Sequence, residues 1–289
     1  FPVAYRENLA RQCAHLCRHY HVVTLQEVDH WLHEGMALPA NSLVVTVDDG
    51  HHDFFRVAYP VFREYQIPVT MFLATGFLDR ACWLWGDRVM YMFRQTARKS
   101  VEVALPAEEQ RYSLESPDLR REAARTVKEA AKRMEDERRL KLVYDELPRL
   151  LNVTVPENPP EEYEPLLWDE VREMTRNGMT FGAHTKTHPI LSSIVSAAKR
   201  REEIEVSKRR IEDELALPVA HFSYPNGTSR DINAETIQIV RDAGFKSAVV
   251  AEPGLNSRTS DPFLLRRTTV EPESPVLSFD RDITRSLRS

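Results

Sequence analysis

Short apolar runs alternate with amphipathic stretches along most of this chain. Ser42–Val47 and Val69–Ala74 are rich in apolar and β-branched residues and are bounded by turn residues, the pattern of buried strands. Met179–Ala183, Ala220–Tyr224, Phe245–Ala251 and Leu264–Val270 repeat it. Between these runs the apolar positions shift to helical spacing. Residues 6–19 predict a helix. Thr24-Leu25-Gln26-Glu27 is a capping box that opens a second one, to His33, which Gly35 stops. Helices are expected over 53–65, with Asp53 as its cap, over Trp168–Arg176, over 195–215 and over 231–243. Strands that alternate with helices predict a parallel sheet.

The alternation breaks once. Residues 83–165 read as mostly helical and charged, and Asp118 to Leu142 reads as a solvated helical hairpin. Trp83, Trp85, Tyr91 and Phe93 at its start fit either a core for this insertion or the wall of a sugar-binding cleft. Pro156, Pro159, Pro160 and Pro165 form a linker back. The basic triplets Lys199-Arg200-Arg201 and Lys208-Arg209-Arg210 alternate with acids and predict another solvated face. Residues 1–289 are expected to form one domain, with 83–165 inserted between strands.

Composition narrows the class. With 42% apolar and 29% charged residues, the chain can bury a full core and reads as soluble and globular. A net charge of −5 gives no reason to expect nucleic acid or an anionic membrane as partner. No apolar run approaches the ~20 residues of a membrane span. The chain opens on Phe1 rather than Met, so a leader or anchor ahead of it stays open. Cys13, Cys17 and Cys82 make no disulfide framework. Cys13 and Cys17 lie near His15, His19 and His21, but with Leu9, Leu16 and Tyr20 they fit the buried face of a helix better than a metal site.

Three stretches carry chemistry. Val44-Val45-Thr46-Val47-Asp48-Asp49-Gly50 is an apolar strand ending in two carboxylates. Phe181-Gly182-Ala183-His184-Thr185-Lys186-Thr187-His188 is a strand end followed by two histidines four apart. The third is His221-Phe222-Ser223-Tyr224-Pro225-Asn226-Gly227. One Asp and two His make a three-ligand set for Zn²⁺ or a similar ion, with a position left for water. The other Asp is then free to act as a base on that water. Pro189 disfavours a helical His188, so the histidines should sit on a structured loop.

These stretches resemble the polysaccharide deacetylases of carbohydrate esterase family four, the NodB-homology domain. That family's T-F-D-D-G is Thr46-Val47-Asp48-Asp49-Gly50 here. Its H-[ST]-x-x-H is matched in full by His184-Thr185-Lys186-Thr187-His188, and its F-R-x-P-Y-G in part by Phe222–Gly227. The resemblance covers roughly residues 40–80 and 165–270. It implies a distorted (β/α) barrel of about seven parallel strands, with the three motifs on the face where barrel active sites sit. It also implies a single catalytic domain. Asp49, His184 and His188 would hold one divalent metal, most readily Zn²⁺, with Co²⁺, Ni²⁺ or Mn²⁺ as alternatives. Asp48 would be the catalytic base, and the backbone N–H of Asn226 would face the oxyanion. Tyr224, Pro225, Leu265 and Trp85 are expected to line the substrate site.

Two departures matter. The family's motif-three Arg is Ser223 here, and its late L-x-H reads Leu265-Arg266-Arg267. Arginine does not readily give up a proton. Arg267 is therefore expected to orient Asp48 and hold it ionised. The acid is left to Asp48 itself, once protonated, or to His221 or His51. The Y-P-N-G and L-x-R pattern resembles a bacterial subgroup tied to surface or exported glycans, which leaves the location open between cytoplasm and cell envelope.

The leading expectation is a metal-dependent hydrolase that removes N-acetyl groups from an amino-sugar glycan. Two others stand beside it: a deacylase or deformylase acting on a small or lipid-linked amino sugar, and an inactive glycan-binding domain. The presence of Asp48, Asp49, His184 and His188 together argues against the last.

Overall fold

The computed structural model describes residues 3–106, 109–270 and 274–285. Its strands are β1 His21–Val22, β2 Ser42–Leu43, β3 Val45–Val47, β4 Val69–Leu73, β5 Ser100–Ala104, β6 Glu109–Ser113, β7 Thr180–Ala183, β8 His221–Ser223, β9 Ser247–Val250 and β10 Leu265–Arg266. The six apolar runs come together as one sheet in the order β10-β9-β8-β7-β4-β3, parallel throughout. It curls into a half-barrel with helices packed outside, the distorted (β/α) form expected, with six strands in the main sheet among the described residues. The run Ser42–Val47 is shared between two sheets. Its first half pairs with β1 and its second with β4.

Burial explains the run pattern. All five residues of β4 are buried, so this central strand reads as a continuous apolar stretch. Outside the sheet, Cys13, Val61, Val171, Ile204 and Ile239 belong to the layer that packs the helices down. Inside the curl, Phe72, Val249 and Leu265 meet Leu25 of the helix Leu25–His33, which opens on the expected capping box at Thr24. Because successive strand residues face opposite sides, Phe222 and Tyr224 point to the outer core while His221 and Ser223 point inward.

Several expectations need correction. Cys17 is exposed, although Leu9, Cys13 and Leu16 are buried as expected. The side chain of Asp53 makes no capping hydrogen bond, because the segment Phe54–Ala58 starts as a wider π-turn. Helix Ala197–Leu215 is not wholly solvated, since Arg200, Glu203, Ile204, Ser207 and Ile211 are buried.

The stretch 83–165 is not purely helical. Helix Trp85–Gln95 leads into the antiparallel hairpin β5–β6, whose Ser-Val-Glu-Val-Ala run alternates buried and exposed positions. Helix Pro117–Ala131 is solvated on one face only. Ala123, Ala124, Val127 and Ala131 pack into a core shared with Val89, Phe93 and Leu142.

Candidate active site

Parallel pairing sets the C-terminal ends of β3, β7, β8 and β10 along one edge, and the motif residues follow directly. The chain turns sharply there. Asp49 has φ +77°, and the Gly50 N–H donates to the Asp48 carbonyl at 3.0 Å across it. Asn226 repeats the geometry, with φ +61° and Gly227 N–H to Pro225 O at 2.7 Å. A positive φ with an i→i+2 bond is the strained form of the three-residue turn. Thr185 and His188, at φ +67° and +58°, are also left-handed. Strain of this kind clusters at working sites, where the surrounding structure holds it. Gly227 has no room for a side chain, since a Cβ there would lie 2.9 Å from Ala251 N.

Asp49, His184 and His188 converge, the three residues the resemblance groups together. Asp49 Oδ1 lies 3.4 Å from His184 Nε2 and 3.3 Å from His188 Nε2. A tetrahedral ion with bonds of about 2.0–2.1 Å spaces its ligand atoms by roughly 3.3 Å. Asp49 Oδ1 is buried with no hydrogen-bond partner, an orphan that a cation would satisfy. His184 Nδ1–H donates to the Ser223 carbonyl at 2.7 Å, which turns Nε2 toward Asp49 as an acceptor. These residues fit a divalent metal, and two nitrogens with one carboxylate suit Zn²⁺.

The electrostatics separate the two rings: burial lowers His184, but Asp48 and Asp49 outweigh it and raise this ring, so the place favours positive charge. Burial alone would raise the Asp49 carboxyl, but His188 and His184 hold it far below the usual carboxylate range. Burial lowers His188 to about 4, only partly opposed by Asp49, so this ring is neutral at pH 7 and available as a ligand.

Asp48 faces a different partner. Arg267 forks onto it, Nη1 to Oδ1 and Nη2 to Oδ2, both at 2.8 Å. Ser223 Oγ donates to Asp48 Oδ2 at 3.2 Å, while Arg267 also reaches Thr46 Oγ1 and Ser223 Oγ. Burial pushes the Asp48 carboxyl up. Arg267 and His184 outweigh it, and the group is held below its ordinary value.

The histidine loop is pinned from outside. Glu203 of helix Ala197–Leu215 accepts the N–H groups of Lys186 and Thr187 at 3.0 and 2.8 Å and the Thr187 hydroxyl at 2.7 Å. Sequence reasoning missed it, because its neighbours made the helix look solvated. It missed Asp87 as well, which helix Trp85–Gln95 places 3.3 Å from His51 Nε2. The turn after Asp49 is tied to the end of the 83–165 stretch by Leu166 N–H to Gly50 O and His52 N–H to Glu164 O, both 2.9 Å.

A family model for polysaccharide deacetylases matches residues 36–248. The chain belongs to this family. A curated relative, YxkH of Bacillus subtilis (strain 168), named only provisionally as a polysaccharide deacetylase, is 27% identical over 104 residues. That alignment spans 36% of this chain and 36% of YxkH, about a third of the relative's length. The fold is that of the Streptococcus pyogenes deacetylase PplD, solved with acetate, at TM-score 0.62 and 19% identity over 96% of this chain and 86% of that one. IcaB of Ammonifex degensii gives 0.57 and 18%, over 98% and 88%.

Five expected site residues, His221, Tyr224, Trp85, Pro225 and Leu265, are buried. His221 is inside the curl, with Nδ1 3.0 Å from Ser247 Oγ and 3.6 Å from Asp29, on the same strand face as Ser223 but nearer the far end. Its ring is engaged there rather than with Asp48. Tyr224 is on the outer face, where burial is complete and its hydroxyl donates to Phe263 O at 3.2 Å, so it lines no cleft. Trp85 is 4% exposed within the core of the 83–165 stretch, under Arg139 at 5.3 Å, rather than in a cleft wall. Pro225 is buried. Leu265, the first residue of β10, is buried two residues before Arg267 and lines the same cavity as Asp48.

Proposed function

We propose that this chain is a metal-dependent deacetylase that hydrolyses the N-acetyl group of an amino-sugar glycan. The observation that carries the reading is the division of labour between two adjacent carboxylates. Asp49 is aimed at two histidines, and Asp48 is gripped by an arginine. Asp49, His184 and His188 would hold a divalent ion, which when bound would supply Lewis acidity to the acetyl carbonyl and lower the pKa of water.

The remaining work falls to this chain's own groups. Asp48, kept ionised by Arg267, takes a proton from the water whose oxygen attacks the acetyl carbon. The Asn226 N–H, which donates to no other group among the described residues, meets the developing oxyanion. The carbon–nitrogen bond then breaks. Asp48 returns its proton to the leaving amine, and acetate and a free amino sugar depart. Asp48 takes the donor's role in this reading because Arg267 occupies the late-motif position and His221 is engaged by Ser247 and Asp29; His51, 3.3 Å from Asp87, is the alternative donor.

Acetate release from N-acetylated glycans, measured with and without added divalent metal, tests the reading. Asp48→Asn should keep the metal and lose roughly 10²–10⁴ in rate, the worth of a positioned base. Asp49→Asn should lose metal and activity together. Metal retained by an Asp49→Ala/His184→Ala double variant would overturn the ligand assignment.

A further inference from the structure

Where this chain withdraws an arginine or lysine from water, it gives the side chain a partner. Among the described residues that are buried or half-buried, Arg138, Arg139, Arg172, Arg200, Arg210 and Arg267 pair with carboxylates, and Arg120 donates to Leu114 O. Lys132, Lys186, Lys199 and Lys208 meet Glu129, Glu202, Asp136 and Glu212. Arg88 and Lys128 are the exceptions. Both are half-buried, and both belong to the 83–165 stretch. Arg88 Nε is buried with no hydrogen bond, and the guanidinium has only the Tyr144 ring, 4.4 Å from its centroid. Burial lowers its pKa, so its surroundings oppose a charge for which they supply no counter-charge.

The two cations flank the active site. Helix Trp85–Gln95 turns Asp87 to His51, and both of those side chains are half-buried. Lys128 reaches across from helix Pro117–Ala131 over Gly86, its Cδ 3.2 Å from where a Cβ would stand, and its charge is felt at Asp87. Residues 86 and 88 project about 200° apart around a helix, so Arg88 lies on the other side of Asp87. Its companion Tyr144 is within electrostatic reach of Cys82. Cys82 packs at Gly76, whose N–H donates to Lys186 O at 2.7 Å, in the loop between His184 and His188.

A cation partly stripped of water and left without a counter-ion is costly, and an aromatic face offsets only part of that. An anion arriving from outside supplies what both side chains lack. A guanidinium takes a carboxylate or a phosphate on its fork, and an ammonium takes either as a point charge. We propose that Arg88 and Lys128 form an anion subsite at the rim of the active site, and that the substrate is an acidic glycan whose carboxylate or phosphate groups rest there while its N-acetyl group meets Asp48. The inference rests on the deacetylase reading for the reaction and on the two unpaired cations for the charge. It narrows the substrate from amino-sugar glycans in general to those with acid groups beside the N-acetylated ring. Cations on opposite sides of Asp87 suit a chain with acid groups on more than one residue.

The test compares N-acetylglucosamine oligosaccharides of equal length: a neutral chitin oligomer, a heparosan oligomer with glucuronate carboxylates, and a phosphodiester-linked oligomer. In the unmodified chain at low salt, kcat/KM for the better acidic oligomer should exceed that for the chitin oligomer by roughly tenfold or more, the worth of one hydrogen bond to a charged group. Which acidic oligomer leads tells carboxylate from phosphate. Added salt should shrink the ratio. Arg88→Met and, separately, Lys128→Met should bring it toward one, and Arg88→Lys should keep part of it. A purely structural Arg88 would lower Tm in Arg88→Met and leave the ratio in place. Calorimetric titration of the metal-stripped chain with the acidic oligomers reads the subsite without catalysis, and both Met variants should weaken binding. A ratio near one in the unmodified chain, or a ratio that survives either Met substitution, overturns the inference and leaves the deacetylase reading standing. If no oligomer is cleaved, the deacetylase reading fails on its own. Acidic-oligomer binding weakened in both variants would then still support the subsite, and binding that is absent or unchanged would overturn it.

Discussion

Arg267 and Asp48 meet as a fork on a fork, each guanidinium nitrogen 2.8 Å from its own carboxylate oxygen. The pair joins the two edges of the open sheet, since Asp48 follows β3 and Arg267 follows β10. It places a permanent cation where family relatives carry a histidine. Burial would raise the Asp48 carboxyl, and the arginine, with His184, reverses that. A carboxylate with a lowered pKa stays ionised as pH falls and is lost only below its usual range. The acidic limb of kcat/KM should therefore lie at low pH. Arg267→Ala should move it upward and cut the rate. Arg267→Lys should restore only part, because a point charge cannot span both oxygens. An acidic limb unmoved in Arg267→Ala would refute the coupling.

What the sequence disclosed follows from range. The six sheet strands were legible because each is written locally, as an apolar run, whereas the grouping of Asp49 with His184 and His188 came from the family resemblance, since the carboxylate and the histidine pair lie far apart in sequence. The Arg267–Asp48 fork was approached only through a missing motif residue. The hairpin β5–β6 was overlooked although Ser100–Ala104 alternates plainly, because charged helical stretches flank it. Glu203 and Asp87 were invisible for another reason. Each meets the site across a distance in sequence, Glu203 to Thr187 and Asp87 to His51, that no periodicity reports. Tyr224 and Trp85 were misplaced because an aromatic residue near a motif reads the same whether it faces a cleft or a core.

Glu203 gives the next prediction. Its carboxylate holds two backbone N–H groups and a hydroxyl in the loop between His184 and His188. Glu203→Ala leaves those donors unpaired in a buried place and frees His188 to drift. Metal affinity, followed by competition with a chelator, should fall about 10–100-fold, as when other supports of metal ligands are removed. Glu203→Gln keeps one acceptor and should fall less. Equal affinity in all three proteins would show that the loop holds its shape unaided.

Trp85 should act through folding. Its side chain is buried with Val89, Phe93 and Leu142, and truncation would open a cavity there. Trp85→Ala should cost about 3–5 kcal/mol of stability. KM should change alike for a large glycan and a small chromogenic ester. A selective rise for the large glycan would put the tryptophan back at the substrate.

Asp87, beside His51, is a carboxyl whose environment opposes its charge. Burial raises it to about 6, with His51 pulling down and Asp49 pushing up again. A carboxyl raised in the folded protein stabilises the fold fully below its unfolded value near 4, and that stability is lost as pH rises through about 6. At neutral pH the ionised group therefore costs stability, on the order of 2 kcal/mol. Asp87→Asn keeps the shape and removes the charge. In metal-free protein its Tm should match the parent near pH 4 and exceed it at pH 7.5. A residue kept at such a cost beside His51 and Asp49 is expected to work for the site, so the stabilised variant should also deacetylate more slowly. Faster or unchanged turnover together with the higher Tm would mean that Asp87 serves neither the site nor the fold.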